Sequence, residues 1–207
     1  MKLISAAVAL LFAPAAFAAN TLLNFETVTS FASVAEYYNG GSDSSGSNFG
    51  PALGVSFGGD ALGLSNDVLG PYFSNAPSPL GVMNPVGTDA TMNVALGFVD
   101  AISFSYSASS LVISAVNVWS GLNGSGTLLA SFNLVNNAQS GGCNDSPACR
   151  FDQLSSTFAG TARSVTFGGA ANQAVFDDIS ITAVPEPTSA LMLALGLAGL
   201  LAVRRRG

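Results

Sequence analysis

Three acidic residues have the chemistry to hold a hard cation. Glu26 stands in Asn24-Phe25-Glu26, and Asp177 and Asp178 stand in Phe176-Asp177-Asp178-Ile179. Carboxylate oxygens converging on one point suit calcium, provided the segments carrying them lie side by side. The plainer alternative is a pair of acids that end in solvent beside a buried Phe176. A second chemistry belongs to Trp119, Tyr37, Tyr38 and Tyr72. Flat aromatic faces stack on the apolar side of a pyranose while Asn, Asp and Gln orient its hydroxyls; equally, such rings serve as ordinary core packing. Cys143 and Cys149 enclose five residues and predict a local disulfide if the chain reaches an oxidising compartment. Two thiols in a chain without histidine make a poor metal site.

The same inventory argues against catalysis. Without histidine, the usual general base of hydrolytic triads and the commonest zinc ligand are both missing. Two carboxylates can hydrolyse a glycosidic bond only at a set separation. Asp177 and Asp178, adjacent on a strand, are expected to point to opposite sides of it. The expectation is a protein that is not an enzyme.

These residues need a scaffold, and the composition specifies its class. The middle of the chain is rich in Gly, Ser, Asn, Val and Phe and poor in the Lys, Glu and Arg that cover helices. Strand-like runs are read at Leu22–Thr27, Leu53–Phe57, Met92–Phe98, Ile102–Tyr106, Leu111–Trp119, Thr127–Leu134, Ser164–Phe167 and Ala174–Thr182. Between them lie a Gly/Ser/Asn loop at Tyr37–Pro51 and a proline-punctuated connection at Asn66–Pro85. The segment Gly121–Gly126 predicts a hairpin loop, because Gly and Asn tolerate positive φ. Period-two alternation sets Val116 and Val118 on one face and Asn117 and Trp119 on the other, and gives Phe104 and Tyr106 a shared face. The predicted fold is all-β, an antiparallel β-sandwich of jelly-roll type in which the first and last strands are neighbours.

The two ends read as addresses. Lys2, an apolar run and Ala16-Phe17-Ala18 form a secretory signal peptide over residues 1–18, with signal peptidase cutting between Ala18 and Ala19. At the other end Val184-Pro185-Glu186-Pro187 precedes an uncharged helix over 188–203 and the basic stop Arg204-Arg205-Arg206. At about 1.5 Å per residue that helix reaches roughly 24 Å, marginal for a permanent transmembrane anchor. The arginines would stay on the cytoplasmic side. Removing residues 1–18 and 184–207 leaves an ectodomain of 19–183. There Arg150 and Arg163 face eleven acids, a net charge of about −9 that repels nucleic acid and anionic lipid.

The proline-glutamate-proline element, helix and triple arginine resemble the PEP-CTERM sorting signal of Gram-negative bacteria that make exopolysaccharide. The resemblance implies an inner-membrane intermediate and recognition by an exosortase, which would cleave near Pro185-Glu186-Pro187 and release the ectodomain to the envelope or extracellular matrix. The Phe25-Glu26 and Asp177-Asp178-Ile179 pairing resembles the calcium-bridged terminal strands of galactose-binding-like carbohydrate-binding modules. That resemblance implies Glu26 and Asp178 as ligands, with Asp177 on the opposite side of the strand. The expected role is non-enzymatic, in a biofilm-type polymer layer, with exopolysaccharide as candidate ligand. The alternatives are a passive structural or adhesive matrix protein and, third, a glycan-active enzyme.

Overall fold

In the computed structural model, which describes residues 19–184, ten strands build an all-β, antiparallel architecture: β1 (Ala19–Leu23), β2 (Val55–Phe57), β3 (Ala61–Leu64), β4 (Val82–Pro85), β5 (Thr91–Ala108), β6 (Val112–Trp119), β7 (Leu128–Leu134), β8 (Asp152–Thr157), β9 (Ala162–Thr166) and β10 (Ala174–Ala183). Two short 3-10 turns, Ser140–Gly142 and Gly168–Ala170, are the other regular elements. Among the described residues no helix is long and apolar enough to cross a membrane. The signal peptide, Pro185-Glu186-Pro187, the 188–203 helix and Arg204-Arg205-Arg206 lie outside the described residues.

The organising element is β5. Its first half pairs with β2 (Val55↔Val94) and β9 (Thr91↔Thr166), and β9 continues through β6 to β7. Its second half pairs with β8 (Phe104↔Leu154) and β10 (Tyr106↔Phe176), and β10 continues to β4 and β3. The runs Met92–Phe98 and Ile102–Tyr106, read as separate strands, are thus one strand. It turns from one ladder group to the other through irregularities at Gly97 (φ 86°) and Asp100 (φ 68°). Only glycine suits the first position, since a Cβ there would strike Thr161 and the carbonyl of Ala162. A strand passing between layers at a bulge is consistent with a β-sandwich.

Alternation divides β5 into two faces. Ile102, Phe104 and Tyr106 enter the main core with Phe167 and Phe176, whose rings meet edge to face at 4.9 Å. Ser103, Ser105 and Ser107 face the other way, beside Val175 and Asp177 of β10. Over that outer side lies a smaller apolar cluster of Leu64, Phe73, Ala76, Val82, Ala148 and Val175. Its cover comes from the proline-punctuated connection and the disulfide loop. Parallel pairing of Phe73 with Ala148 joins those two segments.

The predicted hairpin is present between β6 and β7, and Val116 and Val118 are buried as their alternation requires. Strands β3, β4 and β8 add to the expected set. Gly63 and Pro85 disguise the first two, while β8 reads Asp-Gln-Leu-Ser-Ser-Thr, largely polar on a half-exposed strand. The first strand stops at Leu23 because Phe25 turns the chain with φ 57°.

Candidate functional site

Strand β1 lies antiparallel to the end of β10, from Ala19↔Ala183 to Leu23↔Ile179, so the first and last strands are neighbours. Glu26 stands just past that pairing. Its Oε1 accepts the backbone N–H groups of Leu80 and Gly81 at 2.8 and 3.1 Å. Asp177 Oδ2 accepts the N–H of Ser78 at 2.8 Å, and the Ser78 hydroxyl donates to Asp178 Oδ1 at 2.7 Å. Three carboxylates therefore meet one short segment, residues 78–81. Strict alternation would send Asp177 and Asp178 to opposite sides of the strand, yet both reach Ser78. The reason is a bulge: Asp178 adopts φ 47° and the register slips between Asp177 and Ser180.

Asp177 is 0% exposed. Burial pushes its carboxyl up to about 7, against hydrogen bonds from Ser78 and Asp178 and with the neighbouring charges of Asp178 and Glu26 adding to the rise. Both its oxygens are engaged, the second by the N–H of Asp178 at 2.7 Å. Oxygens for a cation would come from Glu26 and Asp178. A close cluster of metal-ligating residue types lies elsewhere: the ligand atoms of Cys143, Asp145 and Cys149 are within 4.8 Å of one another. Both sulfurs there are committed to the Cys143–Cys149 disulfide, whose Cα atoms are 5.8 Å apart.

The four candidate sugar-stacking rings separate. Tyr37 and Tyr38 are 6% and 3% exposed and belong to the core, a correction to their reading as surface platforms. Their loop folds inward, and their hydroxyls find partners there: Tyr37 bonds Thr27, and Tyr38 accepts the N–H of Phe25 at 2.7 Å. Burial raises the Tyr38 phenol well above its ordinary pKa. Trp119 ends β6 half-buried, its indole N–H donating to Thr166 Oγ1 at 3.2 Å. Beside it the hairpin is pinned by Asn93 and Asn123, whose amides and backbone exchange two 2.8 Å hydrogen bonds.

Tyr72 is the ring that lines a cleft. Asn66 Oδ1 accepts its backbone N–H at 2.9 Å, Phe31 packs edge-on against the ring at 5.7 Å and the phenol donates to Asp67 Oδ2 at 3.4 Å, so backbone and ring are each held. The cleft encloses about 280 Å³ on the outer side of β10, with Tyr72, Asn84, Ser107, Gln173, Ala148 and Val175 among its walls. None of the residues lining it carries a charge. Trp119 lies outside this lining, so the two half-buried rings belong to separate surfaces. Reading strands alone missed Asn84, Ser107 and Gln173. A usable signal was the row Ser103-x-Ser105-x-Ser107, small polar residues opposite a fully apolar face.

The disulfide loop forms part of the cleft wall through Pro147 and Ala148, beside Ala138. It is tied to the neighbouring loop by Ser74 N–H to Ala148 O at 2.9 Å and by Asn75 Nδ2 to Cys149 O at 2.9 Å.

The tail matches the PEP-CTERM protein-sorting motif over residues 183–206. No curated protein matches the chain. Among solved structures, the K2 cleaved adhesin domain of Lys-gingipain aligns at 14% identity and a TM-score of 0.48, over 80% of this chain and 99% of that one. A family 6 carbohydrate-binding module aligns at 12% identity and 0.37, over 63% and 93%. CsCBM6-3 from Clostridium stercorarium in complex with cellobiose aligns at 15% and 0.36, over 60% and 95%. The chain carries a PEP-CTERM sorting motif, which marks it for export and for exosortase processing by way of a membrane-anchored intermediate.

Proposed function

We propose that this chain is a non-enzymatic protein of the cell envelope or extracellular matrix of an exopolysaccharide-producing bacterium, with a jelly-roll β-sandwich ectodomain that binds carbohydrate. The observation that carries the reading is the uncharged cleft beside Tyr72, where a fixed aromatic ring, side-chain amides and hydroxyls surround one concave space. Polyhydroxylated ligands are gripped by that combination. Trp119 supplies a second surface for an extended glycan. Catalysis is disfavoured because Asp177, the acid with a pKa suited to proton transfer, has both oxygens engaged and no path to a substrate.

Retention of the protein on immobilised polysaccharides, read beside a glycan array, tests this. Binding without release of reducing ends is expected, weakened by Trp119→Ala or Tyr72→Ala. A wild-type protein that holds no glycan removes the reading, and unchanged retention of Trp119→Ala removes that residue from the site. The passive matrix role is the second reading, favoured by the withdrawal of Tyr37 and Tyr38 into the core. Calcium at Glu26 and Asp178 is part of the proposal as a structural tie between the first and last strands. Titration calorimetry with calcium, and melting with and without chelator, should show heat and a higher midpoint; neither effect would leave those acids as loop anchors only.

A further inference from the structure

The most telling atom in the cleft is the Ser107 hydroxyl. Ser107 is 2% exposed, and its Oγ is the one buried side-chain polar atom among the described residues without a hydrogen-bond partner. A buried hydroxyl left unpaired is destabilising, so it marks a place where a partner from outside the chain belongs. Around it the donors and acceptors are neutral. Ser110 donates to Gln173 Oε1 at 2.7 Å, which leaves the amide nitrogen of Gln173 as a donor, and Asn84 brings a second carboxamide. Beneath lie Leu64, Ala148 and Val175, the apolar cluster described above, and Tyr72 closes one side.

Each class of ligand meets this lining differently. An anionic sugar or phosphate would find no cation in the cleft, and the ectodomain's acidic charge would repel it. A purely apolar ligand would leave Ser107 and the amides unpaired. A neutral sugar satisfies both halves, its C–H face against Tyr72 and the aliphatic residues and its hydroxyls toward Ser107, Asn84 and Gln173. A cavity of about 280 Å³ falls just below the range of drug-sized small-molecule sites, which run from roughly 300 Å³ upward. We propose that this cleft takes a single neutral pyranose, the terminal unit of an uncharged glycan, with the Ser107 hydroxyl as its buried anchor. The proposal rests on the carbohydrate-binding reading and deepens it.

Ligand-observed NMR and calorimetry on the full chain, in a detergent without a sugar headgroup, test it with methyl glucoside, methyl galactoside, methyl mannoside, xylose, N-acetylglucosamine and glucuronate. At least one neutral sugar should bind and glucuronate should not. Ser107→Ala and the exposed Gln173→Ala should each weaken that binding roughly five- to tenfold. Gln173→Ala keeps the test valid should Ser107→Ala fail to fold. Glucuronate binding as well as the neutral sugars would overturn the claim of neutrality. Polysaccharide retention with monosaccharide binding absent, or untouched by both variants, would overturn the cleft assignment while the wider reading stands. Absence of both retention and monosaccharide binding would remove the two together.

Discussion

At the scale of single residues, two buried aspartates carry opposite instructions. Asp177 has its pKa raised to about 7, with burial the first cause. The folded state therefore binds a proton that the unfolded chain releases at ordinary carboxylate pH, so this contribution is complete in acid and is lost as pH rises through about 7. In chelator the melting midpoint should fall between pH 5 and pH 8, and Asp177→Asn should flatten that decline. A wild-type midpoint that does not fall across this range would show that Asp177 is not held protonated. Asp43 behaves in the opposite sense. Burial works against its charge, but hydrogen bonds from Ser45 and Thr29 prevail and hold it below the usual carboxylate range. Its contribution is present at neutral pH and lost only in strong acid. Asp43→Ala, which frees the N–H groups of Thr29 and Ser45, should cost about 2 kcal/mol at pH 7 by urea unfolding.

At the scale of elements, what could be read from the residues depended on whether neighbours or distant partners decide the outcome. The Gly121–Gly126 hairpin and the alternation of Val116 and Val118 are local, and both are found. The inward course of the Tyr37-Tyr38 loop is set by Phe25 and Phe57, far off in sequence, and nothing in the loop itself announced it. The same holds for the cleft: Ser107 in β5, Asn84 in β4 and Gln173 in the turn before β10 become neighbours only when β10 pairs with both β5 and β4. The adjacency of the first and last strands was legible from the fold class, whereas the bulge at Asp178 was not. The disulfide loop gives an element-level prediction. A closed loop this short should contribute about 2 kcal/mol. Cys143→Ser with Cys149→Ser should lower stability by about that amount while the strands persist by circular dichroism. Because Ala148 walls the cleft, monosaccharide binding should weaken more than the melting midpoint implies; unchanged binding would free the loop from that role.

At the scale of the whole molecule, the parts act in sequence. The sorting motif directs the chain out through a membrane-anchored intermediate. Its acidic, lysine-poor ectodomain carries a charge that repels nucleic acid and anionic lipid, and its cleft is lined by uncharged residues. The composition that made the strands legible, small polar residues alternating with Val, Ile and Phe, is also the one on which the proposed binding of hydroxyl-rich partners rests. The measurement that reaches furthest is intact-mass spectrometry of the protein in the polymer-bound fraction of the producing cells. The account predicts a species beginning at Ala19, ending near Pro185–Pro187 and released from that fraction by competing neutral glycan. A chain still carrying Arg204–Arg206, found in the inner membrane with none bound to polymer, would contradict it.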